Sequence, residues 1–398
     1  MSLNNTPSSE RLHIGIFGSM NAGKSSIINA ITSQSLSIVS EVKGTTTDPV
    51  LKTMELLPLG PVVIIDTPGI DDESTLGKQR IEKAFKIFNK TDIAVLVIDA
   101  TVGFTTAEFN IIKKFEQKKL PFLIVMNKND LEGVKKAPSQ FAEKTIYVSA
   151  LLKQNIYELK ERITELKPKS HNTMPLLSDL VKPLDFVVLV IPIDSGAPKG
   201  RLILPQQQVV RAILDVGAMP IIARETELDS TLKALTFKPA LVITDSQAFE
   251  AVSKIVPEDI LLTSFSILFA RYKGHLEKLL DGIDALNNLE DEDTVLIAEG
   301  CTHHRQCDDI GTVKLPRLIS NYTNKKLNFL FTSGTEFPDK LDSVKLVVHC
   351  GGCMITEREV KYRIDYALAA NIPVTNYGML FAQFNNILKR SIKVFNLK

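Results

Sequence analysis

Residues Gly18-Ser-Met-Asn-Ala-Gly23-Lys24-Ser25 fit the pattern G-x-x-x-x-G-K-[ST]. The chemistry that spacing suits is the cradling of a polyphosphate. Glycines let backbone N–H groups approach it, and the N-terminus of the following helix adds partial positive charge. Lys24 then reaches the β- and γ-phosphates, and the Ser25 hydroxyl ligates magnesium. Gly18, Asn21, Ala22, Gly23 and Ser26 complete the lining. Four further elements follow in order. Gly44-Thr45-Thr46-Thr47 supplies a second magnesium hydroxyl, assigned to Thr46, from a switch loop. Asp66-Thr67-Pro68-Gly69 ends a strand, where Asp66 holds the magnesium shell and the Gly69 N–H senses the γ-phosphate. Asn127-Lys128-Asn129-Asp130 follows another strand, and the Asp130 carboxylate can accept two N–H bonds from guanine that adenine cannot offer. Ser149-Ala150-Leu151 closes over the base. The expectation is a domain that binds GTP or GDP with magnesium and hydrolyses GTP, with Lys24, Thr46 and Gly69 as catalytic candidates. Ile70 stands after Gly69, where a water-orienting glutamine would serve hydrolysis, so intrinsic turnover is expected to be slow.

A second constellation lies in the last quarter of the chain. It reads Cys301-Thr-His303-His304-Arg-Gln-Cys307-Asp308 and, further on, His349-Cys350-Gly-Gly-Cys353. These four cysteines are all the chain has. Such clustering argues for metal or redox chemistry rather than disulfides. Three chemistries fit the spacing: a zinc site from three or four of these ligands, a thioredoxin-like dithiol at Cys350 and Cys353, and an iron–sulfur cluster on three or four thiolates.

Both constellations need a scaffold that presents loops at strand ends. Leu12–Phe17 reads as a buried strand, with further strands at 62–66, 93–99, 122–127 and 145–148 and helices between them. Strand alternating with helix predicts an α/β, doubly wound, mainly parallel sheet over a first domain at 8–170. The stretch 171–183 is polar and proline-bearing and reads as a linker. Beyond it, strands are expected at 186–193, 219–223, 240–244 and 260–263, with helices at 206–215, 233–235 and 249–255. A last block has strands at 294–298, 327–331, 346–349 and 374–375, with helices at 313–322, 357–370 and 379–388. Two smaller α/β domains, 184–265 and 266–398, follow. Cys350 and Cys353 then fall on a strand-to-helix loop, and Cys301 follows a strand, so both loops can share the carboxyl edge of one sheet.

The bulk properties bound the function. The chain has 398 residues, 44% hydrophobic and 23% charged, with a net charge of +1. No strong basic field is present to hold nucleic acid, so no nucleic-acid partner is expected. The N-terminus has no apolar signal segment and no apolar run of about 18 residues occurs, so a cytoplasmic protein with no membrane partner is expected.

Asn21-Ala-Gly-Lys-Ser-Ser26 together with Gly44-Thr-Thr-Thr-Asp48 resembles the TrmE and Era branch of GTPases. In that branch the asparagine matching Asn21 helps to hold a potassium ion, which implies a catalytic role for Asn21 and potassium-activated hydrolysis. Glu299-Gly-Cys301-Thr-His-His304 and Val348-His-Cys-Gly-Gly-Cys-Met354 behind such a domain resemble the HydF family of hydrogenase maturases, and the likeness spans the chain. The resemblance implies a 4Fe-4S cluster on Cys301, Cys350 and Cys353, with the fourth iron open or held by His303, His304, Cys307, Asp308 or His349. Cys307 departs from the family motif. The resemblance also implies a homodimer with a dimerisation domain at 184–265 and a cluster domain at 266–398. Its implied role is that of a scaffold and carrier. It would receive a diiron unit bearing carbon monoxide and cyanide from two radical-SAM maturases and deliver it to apo FeFe-hydrogenase. The alternative is a TrmE- or Era-like GTPase acting on RNA, with zinc at the C-terminal cysteines.

Overall fold

A computed structural model describes residues 8–32, 40–42, 50–67, 87–168, 174–193, 202–273, 275–300, 309–334 and 336–396. Thr46, Gly69, Ile70, Cys301, His303, His304, Cys307 and Asp308 lie outside the described residues. The chain divides into two compact units, Met1–His171 and Asn172–Lys398.

The first unit is built on a seven-stranded sheet in the order β2-β3-β4-β1-β5-β6-β7. Its strands are β1 Leu12–Phe17, β2 Ser40–Val42, β3 Val50–Leu56, β4 Gly60–Asp66, β5 Ile93–Asp99, β6 Phe122–Asn127 and β7 Thr145–Tyr147. Pairing is parallel except where β3 runs antiparallel to β2 and β4. This edge ribbon falls outside the expected strands, because Lys52, Thr53 and Glu55 interrupt its apolar pattern. Helices α1 Lys24–Thr32, α2 Thr106–Gln117 and α3 Ile156–Glu165 are described in this unit. The central strands are apolar on both faces, as a parallel sheet covered on both sides requires. Alternation along β5 sends Val95 and Val97 to a core with Ile14, Ile27 and Ile31. Leu96 and Ile98 go to the opposite core, with Phe17, Phe88 and Phe115.

The second unit holds two four-stranded sheets, ordered β11-β10-β8-β9 and β13-β12-β14-β15. The first comprises β8 Phe186–Val190, β9 Met219–Ala223, β10 Leu241–Thr244 and β11 Leu261–Ser264. The second comprises β12 Thr294–Ala298, β13 Asn328–Thr332, β14 Val344–His349 and β15 Val374–Asn376. All pairings are parallel. Helices α4 Leu204–Val216, α5 Leu228–Ala234 and α6 Phe249–Ile255 cross over within the first sheet, and α7 Phe265–Tyr272 follows β11. The remaining helices are α8 Leu276–Asp284, α9 Leu315–Thr323, α10 Glu357–Ala369, α11 Tyr377–Phe384 and α12 Leu388–Ile392. The two sheets share one apolar core that runs from Val188, Val242 and Phe249 to Leu296, Val347 and Leu380. Leu177 and Val181, within the polar stretch 171–183, are buried against Val187 and Leu189.

Several expected boundaries move for local reasons. The apolar run 186–193 is a strand only to Val190, because Pro192 brings no N–H to a ladder. The helix expected at 313–322 starts with a π turn, Ile310–Lys314, before α9. Pro316 cannot donate to the carbonyl one turn back, so the helix register slips there. The helix expected over 379–388 is two helices, α11 and α12, divided near Asn386, whose φ is +57°.

Candidate functional site

The phosphate loop lies between β1 and α1, as strand-to-helix connections at a sheet's carboxyl edge do. Gly18 and Gly23 have φ of +146° and +91°. A Cβ on Gly18 would run into Val97 O, and one on Gly23 into Asn127 Nδ2, so both positions need glycine twice over. Asn21 is left-handed at φ +59° and exposed, which puts its side chain at the outer bend of the loop. Lys24 Nζ donates to Gly18 O at 2.9 Å and to Ser19 O at 2.8 Å, so the ammonium lies across its own loop.

Ser25 Oγ donates to Asp66 Oδ2 at 3.0 Å. Burial raises the Asp66 carboxyl above its usual range, against the opposing pull of Ser25 and Lys24. A hydroxyl and a carboxylate in contact, with an ammonium nearby, suit a magnesium ion and a phosphate. Thr67 continues the wall, its Oγ1 donating to Ile16 O at 2.7 Å.

The base side is organised by Asn127, which is only 3% exposed. Its Nδ2 donates to Ala22 O at 3.0 Å, and its Oδ1 accepts from Ala150 N at 3.1 Å. One amide therefore fastens the phosphate loop to the 149–151 turn. Lys128, left-handed at φ +65°, pairs with Asp99 at 2.6 Å. Burial would raise the Asp99 carboxyl, but hydrogen bonds from Lys128 and Thr101 hold it below its usual range. Asp130 and Leu151 are exposed, while Ser149 is buried and accepts from Leu152 N at 3.0 Å.

Sequence reasoning missed Glu108. This carboxylate, 2% exposed, bonds both Ser19 Oγ and Thr105 Oγ1. Thr105-x-x-Glu108 is a capping box at the start of α2, and that spacing was the available signal. It anchors the second residue of the phosphate loop.

The cysteine loops meet because β12 and β14 are parallel neighbours, with Ala298 opposite His349. Cys350 N donates to Ala298 O at 3.0 Å. Cys350 Sγ receives N–H bonds from Gly300 at 3.0 Å and Gly352 at 3.3 Å. Gly352 has φ +63°, which lets the loop turn back on the sulfur. Burial pushes the Cys350 thiol up, with the two N–H groups pulling it down. Burial and the neighbouring Cys350 push Cys353 up to about 11. Thiols so placed ionise readily only when a cation or metal takes the charge. Among the described residues, no three His, Cys, Asp or Glu side chains converge as a ready metal site. The described part of the loop does fit an iron–sulfur group: two thiols close together, N–H donors aimed at one sulfur, and the start of α10 following at Glu357.

His349 is 2% exposed, and its Nδ1 donates to Cys350 O at 2.6 Å. That bond fixes the proton on Nδ1 and leaves Nε2 buried without a hydrogen-bond partner. Burial, reinforced by Arg363, lowers His349 to about 3, so the ring is neutral. Three neighbours escaped the sequence reading. Lys273 Nζ donates to Gly352 O and, at 3.4 Å, to Ile355 O. Buried Glu299 accepts from Tyr377 Oη at 3.1 Å. No motif spacing marks Lys273 or Tyr377, which come from separate elements, and Glu299, though it opens the first cysteine motif, carried no assigned role.

Three family models match the chain. Residues 13–128 match a 50S ribosome-binding GTPase model. Residues 176–274 match the hydrogen maturase F dimerization domain, and 277–394 its tetramerization domain. Among curated relatives, GTPase Der of Mycoplasmopsis pulmonis is 32% identical over 202 residues, 46% of each chain. The tRNA modification GTPase MnmE of Janthinobacterium sp. is 33% identical over 160 residues, 39% of this chain and 34% of that one. The chain thus spans less than half the length of these curated relatives. Among solved structures, Aquifex aeolicus Era bound to GDP.AlF4- is 21% identical, covering 53% of this chain and 92% of that chain at a TM-score of 0.33. With a GTPase domain followed by both maturase-specific domains, the chain belongs to the hydrogen maturase F family of hydrogenase-maturation GTPases.

Proposed function

We propose that the chain hydrolyses GTP with magnesium and uses a 4Fe-4S cluster on Cys301, Cys350 and Cys353 as a scaffold for hydrogenase maturation. The observation that carries the cluster reading is Cys350 Sγ accepting N–H bonds from Gly300 and Gly352, which brings the residue before Cys301 onto the Cys350–Cys353 loop. Such bonds stabilise cluster thiolates. His303, His304, Cys307, Asp308 and His349 remain candidates for the fourth iron. For His349, the Nδ1 bond to Cys350 O leaves Nε2 as the ring atom that could ligate.

On the nucleotide side, Lys24, Ser25, Thr46, Asp66 and Gly69 take the phosphate and magnesium roles, Asp130 reads guanine, and Asn21 holds an activating potassium ion. Residues 8–170 bind nucleotide, 184–265 dimerise and 266–398 hold the cluster. GTP and GDP states alter docking of partners through loops 40–48 and 66–78. The cargo is a diiron carbonyl–cyanide unit, received from two radical-SAM maturases and passed to apo FeFe-hydrogenase in the cytoplasm. The RNA-directed alternative rests on the 13–128 match alone.

The test is anaerobic purification and reconstitution with ferrous iron and sulfide, followed by metal analysis and electron paramagnetic resonance. About four irons per chain, with a reduced-state signal lost in Cys350→Ala, is expected. One zinc and no iron would refute the cluster.

A further inference from the structure

Lys273 closes α7 and is 9% exposed. Its hydrogen bonds go to two neutral carbonyls, Gly352 O and Ile355 O, and burial, which disfavours its charged form, is opposed by Cys353, Cys350 and Glu357. Arg363, the other buried cation near this loop, differs: Glu359 pairs with it at 3.0 Å. A buried cation is costly, and carbonyls offset only part of the lost hydration. Beyond Glu357, negative charge on the cysteine loop would offset the rest. Cys350 and Cys353 flank Gly352, and a Cβ built on Gly352 would stand 3.5 Å from Lys273 Nζ.

We propose that Lys273 is the counter-charge of the cysteine-held cluster, a positioning residue that fixes the Cys350–Cys353 loop and favours its reduced state. This rests on the cluster reading above. A 4Fe-4S cluster on three thiolates is anionic and becomes more so when an electron enters, so a fixed ammonium beside the loop stabilises the reduced form more than the oxidised form. The sequence origin of the residue adds a consequence. Lys273 falls inside the dimerization-domain match, 176–274, while the three cysteines fall inside the tetramerization-domain match, 277–394. The cluster site is therefore composite: one part of the chain supplies the thiolates and the other supplies their counter-charge. The apolar core shared by the two sheets is what holds this junction firm enough to keep Nζ on Gly352 O.

The experiment compares full-length wild type, Lys273→Gln and Lys273→Arg, each purified anaerobically and reconstituted with ferrous iron and sulfide. Gln keeps a donor for the carbonyls and removes the charge, whereas Arg keeps the charge. Three quantities are read: reduction potential by paramagnetic resonance, rate of iron loss to a chelator, and melting temperature of the apo chain. Gln is expected to shift the potential to a more negative value and to speed iron loss several-fold, with Arg close to wild type in potential. An unchanged potential and unchanged iron loss in Gln overturns the proposal, as does an Arg potential shifted as far as that of Gln. A lower apo melting temperature alone assigns Lys273 to packing and overturns it too. Should Gln fail to fold, the Arg variant decides: a wild-type potential supports the counter-charge, and a shift to more negative values refutes it. Wild type that takes up no iron under these conditions fails the cluster reading itself, a result distinct from any difference between variants.

Discussion

Asn127 Nδ2 donates a hydrogen bond to Ala22 O at 3.0 Å, tying the base-side loop to the phosphate loop. The same amide accepts from Ala150 N, so truncating it unfastens three segments at once. Two net hydrogen bonds at roughly 1 kcal/mol each predict that Asn127→Ala weakens GTP and GDP binding on the order of 10- to 30-fold. Gly23→Ala is expected to do worse, because the new Cβ meets this amide on a left-handed backbone. Calorimetric titration with GDP checks both. Wild-type affinity in Asn127→Ala would mean that the loops are fixed by other contacts.

Asn21 makes a second prediction. Its backbone is left-handed at φ +59°, so Asn21→Gly removes the side-chain oxygen without straining the loop. GTP turnover is expected to be at least several-fold faster in potassium than in sodium chloride. Asn21→Gly is expected to abolish the difference while leaving sodium-supported turnover in place. Phosphate release in the two salts is the measurement, and equal rates in wild type would end the potassium assignment.

His13 gives a pH dependence. Its ring is 6% exposed, with Nδ1 bonded to Arg11 O at 2.9 Å, and burial lowers it to about 4 from an ordinary 6.5. The unfolded chain therefore binds a proton that the folded chain refuses between those values. The stability this supplies is complete above about 6.5 and is lost as pH falls toward 4. Between pH 6.5 and 5 the loss is roughly 1.5 kcal/mol. Denaturant unfolding at the two pH values should show that loss in wild type and a smaller one in His13→Gln. An identical pH slope in both would place the acid sensitivity elsewhere.

The parts legible in the sequence are those where one local pattern specifies both structure and chemistry. Gly18 to Ser25 announces a loop between a strand and a helix, and Asn127 and Asp66 end apolar runs that can only be central strands. Cys350 and Cys353 were placed on the strand-to-helix loop they occupy, because Leu346–His349 is apolar and Glu357 opens an amphipathic segment. Lys273 and Tyr377 were illegible as site residues because each acts on a partner far away in sequence, Gly352 or Glu299, and no spacing rule covers a contact made only by packing. Glu108 carried a capping-box spacing and Glu299 opens the first cysteine motif, but neither pattern points to the long-range partner, Ser19 or Tyr377. The β2–β3 ribbon was hidden because edge strands alternate weakly and Lys52 and Glu55 break the pattern.

The edge strands of the second unit carry the last prediction. In β9, at the edge of the first four-stranded sheet, Met219 is 36% and Ile222 50% exposed. In β13, at the edge of the second, Leu330 is 46% and Phe331 37% exposed. Edge strands with apolar side chains and open backbone donors and acceptors invite pairing with another chain. The matched domains locate them: β9 lies in the dimerization match and β13 in the tetramerization match. Each edge is therefore expected to serve its own association step. Ile222→Lys places a charge on the β9 edge and should leave monomers at concentrations where wild type dimerises. Leu330→Lys should leave dimers intact and remove only the larger assembly. Sedimentation velocity across a concentration series separates these species. Dimers persisting in Ile222→Lys would move the first interface away from β9. Tetramers persisting in Leu330→Lys would do the same for β13.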